Sequence, residues 1–138
     1  YLHWGHDMSP EENQYQAGLQ FAISYKKNIN FIGKEALLKI KEKKPDKKLV
    51  MLVLKNSQPG KPLLLHDEPI YDDSSIIGRT TSGNFSFNYN KNLAFGYIDT
   101  KLSKEDLVKK NLFIEIEKKK YSASIILEPL NNKNIKIL

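Results

Sequence analysis

The stretch GRTTSGNFSFNYNKNLAFGYI, residues 78–98, packs glycines, hydroxyls, asparagines and aromatics into one run. Three readings compete for it: a phosphate cradle, a nucleic-acid surface, or the turns of a small barrel. A phosphate loop of the P-loop kind needs a lysine followed by Ser or Thr directly after its glycines, at the mouth of a helix, so that amides and dipole converge on the anion. This run has neither. Gly78, Gly83 and Gly96 fall at strand ends or inside strands, where a missing side chain permits a bend or a close backbone approach. Residues 80–92 then read as a strand followed by an irregular loop. Phe85, Phe87 and Tyr89 recur at period 2 and would share one side of that strand. That side is either a stacking platform for single-stranded nucleic acid or the core face. With no arginine among them and only Lys91 nearby, the core face is the expectation.

Working outward, the sequence after Pro45 continues as short strands between polar turns. KLVMLVLKN is a continuous apolar run, EPIYDDSSIIGRTTSG reads as two strands around residues 72–75, and NLAFGYID is another strand. In LFIEIEKKKYSASIILEPL, Leu112, Ile114 and Ile116 alternate with Phe113, Glu115 and Glu117 before a lysine turn, the pattern of a hairpin. Ser103 and Asp106, ahead of Leu107, fit the cap of a single helical turn. About six short strands in this span predict a closed or nearly closed small barrel. Before Pro45, QAGLQFAISY alternates as a strand with Leu19, Phe21 and Ile23 on one side. FIGKEALLKIKEKK places Leu37 and Ile40, with Ala36 beside them, on one helical face, and Pro45 ends the helix. The expected fold is therefore α+β and mainly antiparallel β: a C-terminal six-stranded barrel over residues 46–138, preceded by a strand and helix in residues 1–45.

Composition narrows function. The 138 residues carry a formal charge of +6, yet Arg79 is the only arginine, and arginine is the usual reader of bases and phosphates. The basicity is read mainly as solvated surface. Zero cysteines exclude disulfides, thiolate metal sites and cysteine nucleophiles, which suits a cytoplasmic location. No apolar run approaches the roughly 20 residues of a membrane span, so no membrane partner is expected. The opening at Tyr1, without an initiator methionine, reads as part of something longer. His3, His6 and Asp7, with His66, Asp67 and Glu68, raise a metal site. Residues three apart on an extended chain point to different faces, so His3 and His6 converge only if a turn intervenes, and no metal is expected. No nucleophile–base spacing or isolated carboxylate pair stands out, so no catalytic residue is expected within the chain.

YLHWGHDMSPEENQYQAGLQFAISYKKNINFIGKEALLKIK, residues 1–41, and IIGRTTSGNFSFNYNKNLAFGYI, residues 76–98, resemble the C-terminal part of the glycine-cleavage T-protein (aminomethyltransferase) family, which includes the folate-binding halves of dimethylglycine and sarcosine dehydrogenases. The most specific pieces are Gly5-His6-Asp7, Ala17-Gly18-Leu19, residues 31–37, Gly78 with Thr81-Ser82-Gly83, and Ala94 with Gly96-Tyr97. The wording around Trp4 and His6 is nearer the dehydrogenase branch. The resemblance implies one-carbon transfer from an amine donor to tetrahydrofolate, with the barrel closing the folate site. It also implies that the catalytic aspartate and folate-gripping residues lie in upstream domains of the same protein, with FAD in a further upstream domain on the dehydrogenase branch, so that this piece alone is inactive. It places Tyr1, Trp4, His6 and Asp7 near the end of the folate cavity, and Lys91 where it could attract the folate glutamate tail. Two positions depart from the family pattern: Gln16 stands where a carboxylate is usual, and Ile135 where an aromatic often follows. The rival readings are a lysine-rich barrel binding nucleic acid and a structural closing domain of a folate-dependent demethylase acting on a sulfur compound.

Overall fold

Lys47–Leu54 forms β1, and five further strands follow: β2 (Pro69–Asp72), β3 (Ser75–Ser86), β4 (Lys91–Asp99), β5 (Leu112–Ile116) and β6 (Lys119–Ile126). They belong to a computed structural model that describes residues 1–27, 29–99, 102–127 and 129–130. The strands pair antiparallel in the order β1-β4-β3-β2-β5-β6, and β6 returns to β1, closing the barrel. Closure leaves no strand edge open, which removes the main aggregation hazard of an all-β layout. The six strands match the number expected from the sequence.

Inward residues alternate along the strands as the pleat requires. In β5 the buried residues are Leu112, Ile114 and Ile116; across the barrel they meet Leu52 and Leu54 of β1, Ile70 of β2, and Ala94 and Ile98 of β4. Burying a side chain of this size contributes roughly 1.5–3 kcal/mol relative to leaving it in water. One end of the barrel is covered by the short helix α2 (Lys104–Val108), whose Leu107 is buried beside Ile98, Leu112 and Ile125. The expected cap is present: the Ser103 hydroxyl accepts from the Asp106 N–H at 3.2 Å and donates to the Asp106 carboxylate at 2.7 Å. Leu64, in the β1–β2 connection, is buried against Gly83.

Turn chemistry refines two expectations. The β5–β6 turn is Glu117-Lys118, both residues at positive φ (50° and 61°), and Lys119 and Lys120 already pair as strand. Such a turn matches the right-handed twist of the flanking strands, which is why it persists without its usual Asn-Gly. After β3 the chain leaves the sheet at Ser86, so the period-2 argument for the aromatics ends there. Phe85 and Phe87 meet edge to face, with ring centres 5.2 Å apart, and Phe87 is 80% exposed. Phe87 therefore lies outside the core.

The segment before the barrel corrects a second expectation. The helix is present as α1 (Lys34–Lys41), with Leu37 and Ile40 half-buried. The strand expected at Leu19–Ile23 is instead a single 3₁₀ turn, Gln20–Ala22. Gly18 at φ +72° breaks the extended run, and the Ala22 and Ile23 N–H groups bond back to the carbonyls of Leu19 and Gln20. Alternation alone does not make a strand when no neighbouring strand supplies a ladder, and Phe21 remains 82% exposed.

Candidate functional site

β3 carries the feature that organises the site. Thr80 pairs with Gly96 and Ser82 with Phe95, so Thr81 is an extra residue, a β-bulge. On a regular strand residues 81 and 82 would point to opposite faces. The bulge turns both hydroxyls toward one carboxylate: Thr81 Oγ1 and Ser82 Oγ donate to Asp7 Oδ1 at 2.5 and 2.7 Å. Asp7 Oδ2 accepts the His3 N–H at 2.8 Å, and the Asp7 carbonyl accepts the Tyr97 hydroxyl at 3.0 Å. Asp7 is 1% exposed. Residues 3–8 are thereby clasped to the barrel wall across more than 70 residues of sequence.

A second tie lies alongside. Lys47 Nζ bonds Glu12 Oε1 at 2.8 Å and sits 5.0 Å from the centre of the Tyr97 ring, while the Ser9 hydroxyl donates to Glu12 Oε2 at 2.7 Å. Burial opposes ionisation of Glu12, but the hydrogen bonds from Lys47 and Ser9 outweigh it and hold the carboxyl below its usual value of 4.5. Burial, followed by the charges of Glu12 and Asp7, drives the Tyr97 phenol well above its ordinary range, so it serves as a donor. Gln16 joins the same seam: its side-chain N–H donates to Asp46 at 2.8 Å and its backbone carbonyl accepts the Leu49 N–H at 2.8 Å. The Gln16 side-chain amide therefore has a structural use. Because Glu12 titrates lower folded than unfolded, its contribution to stability is complete above about pH 4.5 and is lost as the pH falls through the lowered value. Urea unfolding between about pH 6 and pH 3 should show a shallower acid loss for Glu12→Gln than for the parent chain.

Two cavities flank this clasp. One, of about 410 Å³, is walled mainly by apolar and aromatic groups, among them Tyr1, Met51, Phe85, Tyr89 and Phe95. The Tyr89 hydroxyl is fixed by donation to the Leu130 carbonyl at 3.1 Å. The other, of about 660 Å³, has mixed walls that include His6, Glu12, Lys47, Asp67 and Arg79 beside Pro69 and Ile76. Its charges are largely matched within it, with Arg79 3.4 Å from Asp67.

The structure separates the expected site residues. Tyr1 lines the aromatic cavity and His6 the mixed one. Asp7 lies between them, buried, with both carboxylate oxygens engaged. Trp4 is 65% exposed and forms a backbone bridge to Met8, and Lys91 begins β4 opposite Ser86, which lines the aromatic cavity. Ile135 lies outside the described residues. A turn at Gly5 does bring His3 and His6 together, with ring centres 4.7 Å apart. Sequence reading missed Thr81 and Ser82 as partners of Asp7. Two adjacent hydroxyls before a strand glycine were visible, but their joint direction depends on a bulge.

The family model described as the glycine cleavage T-protein C-terminal barrel domain matches residues 47–131. The chain is 36% identical over 127 residues to mitochondrial dimethylglycine dehydrogenase of Homo sapiens, covering 92% of this chain and 14% of that protein. It is 35% identical over 126 residues to an aminomethyltransferase of Listeria welshimeri, covering 91% of this chain and 33% of that one. The crystal structure of glycine cleavage system aminomethyltransferase T from Bartonella henselae superposes with a TM-score of 0.75 at 24% identity, over 91% of this chain and 34% of that one, a likeness of fold.

Proposed function

This chain belongs to the family of the glycine cleavage T-protein C-terminal barrel domain, and from that premise we propose that it serves one-carbon transfer from an amine donor to tetrahydrofolate, its barrel closing a folate site built by upstream domains of the same protein. The observation that carries the reading is the extent of the likeness. It covers 92% of the chain, which is more than the barrel alone. The chain spans 14% and 33% of the length of these two relatives, which supports assigning the reacting groups to upstream domains.

The residues fit a supporting role toward a folate. Tyr1, Phe85, Tyr89 and Phe95 give an apolar wall against which a planar ring can lie and from which water is excluded. Lys91, beside Ser86 at the cavity rim, is the cation for a glutamate tail. Asp7 and Glu12 are committed to internal hydrogen bonds, which leaves them as supports and not as acids or bases in the reaction. Tetrahydrofolate supplies the nitrogen that accepts the one-carbon unit. On the dehydrogenase branch, the proposal extends to FAD in a further upstream domain.

The test uses the protein that carries this chain together with its upstream domains. Calorimetric titration with tetrahydrofolate should show saturable binding, and incubation with N-methylated amine donors should load the folate with a one-carbon unit. Transfer from sulfonium donors alone would replace the amine assignment with a demethylase. Absence of folate binding, with salt-dependent affinity for single-stranded oligonucleotides, would overturn the reading.

A further inference from the structure

Residues 18–44 differ from the rest of the molecule in what they bury. Among the described residues of that span none is buried, although Ala17 just before it and Val50 of β1 beyond it are. Phe21 on the 3₁₀ turn, Ile29 and Ile32 on the loop that follows, and Leu38 on α1 are all exposed. Single exposed apolar side chains are ordinary, but several large ones on one short arm with no core of its own mark an interaction surface.

The arm nevertheless has a defined shape. Its root is tied to β1 where the Leu49 N–H donates to the Gln16 backbone carbonyl at 2.8 Å. The Tyr15 and Tyr25 hydroxyls share a hydrogen bond of 2.7 Å, and Lys41 Nζ lies 5.2 Å from the centre of the Tyr25 ring, so α1 is held back to that root. A surface already ordered in this way loses little freedom on meeting a partner.

Charge and likeness together say what the partner is. Residues 26–44 hold seven lysines against Glu35 and Glu42, so this one stretch carries most of the chain's formal charge of +6. A second copy of the arm would set lysines against lysines, which opposes self-association. The barrel family model starts at residue 47, whereas the likeness to mitochondrial dimethylglycine dehydrogenase covers 92% of the chain and so takes in part of the arm. The arm is therefore shared with longer proteins, of which this chain spans 14% and 33%. We propose that residues 18–44 are a docking arm covered by the upstream part of the same protein, which meets it with an apolar face rimmed by carboxylates. This rests on the upstream domains of the functional reading, and it makes the arm, beside the barrel wall, a contact that holds the barrel over them.

The test uses the full-length protein. Among the described residues nothing accepts the Ile32 N–H, so on an open arm the amides around it exchange with solvent almost unhindered. Docking should slow hydrogen exchange over residues 29–33 by about 100-fold or more. Carbodiimide coupling should join lysines of the arm to upstream carboxylates within one polypeptide. Phe21→Ser combined with Ile32→Asp, two exposed positions outside the barrel, should restore fast exchange and abolish that coupling while leaving exchange in β5 and β6 unchanged. An arm that exchanges freely in the full-length protein, coupling only between two copies, or protection that appears only with phosphatidylserine vesicles would overturn the proposal. Tetrahydrofolate titration separates it from the functional reading: folate binding with a free arm removes this proposal alone, and a docked arm without folate binding removes the other.

Discussion

Asp7→Ala should cost the folded chain about 3 kcal/mol and release residues 1–25 to proteolysis. The carboxylate is 1% exposed and accepts from Thr81, Ser82 and the His3 N–H, so its removal strands three donors beneath the segment that covers them. Hydrogen bonds to a charged acceptor contribute about 1.5–3 kcal/mol each, and a buried donor left unpaired costs about 1–3 kcal/mol. These figures are not additive, because once the clasp fails the segment can swing away and its donors regain water. The loss should therefore surface in two places: a lower urea midpoint, and cleavage near the Gly18 turn by a protease that leaves the parent chain intact. Asp7→Asn keeps the volume and one acceptor but turns an N–H₂ toward a donor, and should fall between the two. If Asp7→Ala unfolds at the parent midpoint and resists protease equally well, Asp7 is not the anchor of this segment.

Gly78→Ala should be at least as damaging, by about 3 kcal/mol or more, through a different cause. A Cβ at this position would overlap the Tyr97 carbonyl oxygen and lie 2.9 Å from the Ile98 Cα, both backbone atoms of β4. β4 cannot retreat, because it is paired on its other side with β1, and the Tyr97 hydroxyl is tied to the Asp7 carbonyl. Overpacking a closed barrel in this way forces a register or closure change beyond the usual 1–3 kcal/mol of a core overpacking. Gly83→Ala is the internal comparison. There the added methyl meets Leu64 Cγ at 2.5 Å and backbone only at 3.1 Å, the Leu65 carbonyl oxygen, so the buried Leu64 must shift but β4 need not, and the loss should be smaller. Thermal unfolding followed by circular dichroism ranks the two. Equal midpoints for Gly78→Ala and Gly83→Ala would refute the backbone-contact explanation.

The barrel was legible because its determinants are local. Leu112, Ile114 and Ile116 declare their face by alternation, Ser103 and Asp106 declare a cap by type and spacing, and the strand glycines mark close approaches that the coordinates place against Tyr97 and Leu64. The misread strand at Leu19–Ile23 shows the limit of that method. Period-2 alternation records which side chains could share a face, but a strand also needs a ladder partner, and Gly18 diverts the chain into a turn. Phe87 failed for a related reason, since its spacing from Phe85 is meaningful only while the strand lasts, and β3 stops at Ser86.

The site was less legible because it depends on contacts between distant positions. Asp7 stood out by its resemblance to a family motif, and so did Thr81-Ser82-Gly83, but nothing in the order of residues says that the two motifs bond each other across 74 positions. That bond requires the one-residue bulge at Thr81, a property of how β3 and β4 register. The approach of His6 to His3 and to His66 has the same origin: one turn and one inter-strand connection, neither of which alternation or spacing reveals.

A double-mutant cycle between Asp7→Ala and Thr81→Val, read by urea unfolding, tests most directly whether the bulge exists to hold the N-terminal segment. A bonded pair predicts non-additivity, with a coupling of about 1 kcal/mol or more. Strict additivity of the two losses would mean that the carboxylate and the hydroxyl do not meet in solution, and the clasp would have to be abandoned.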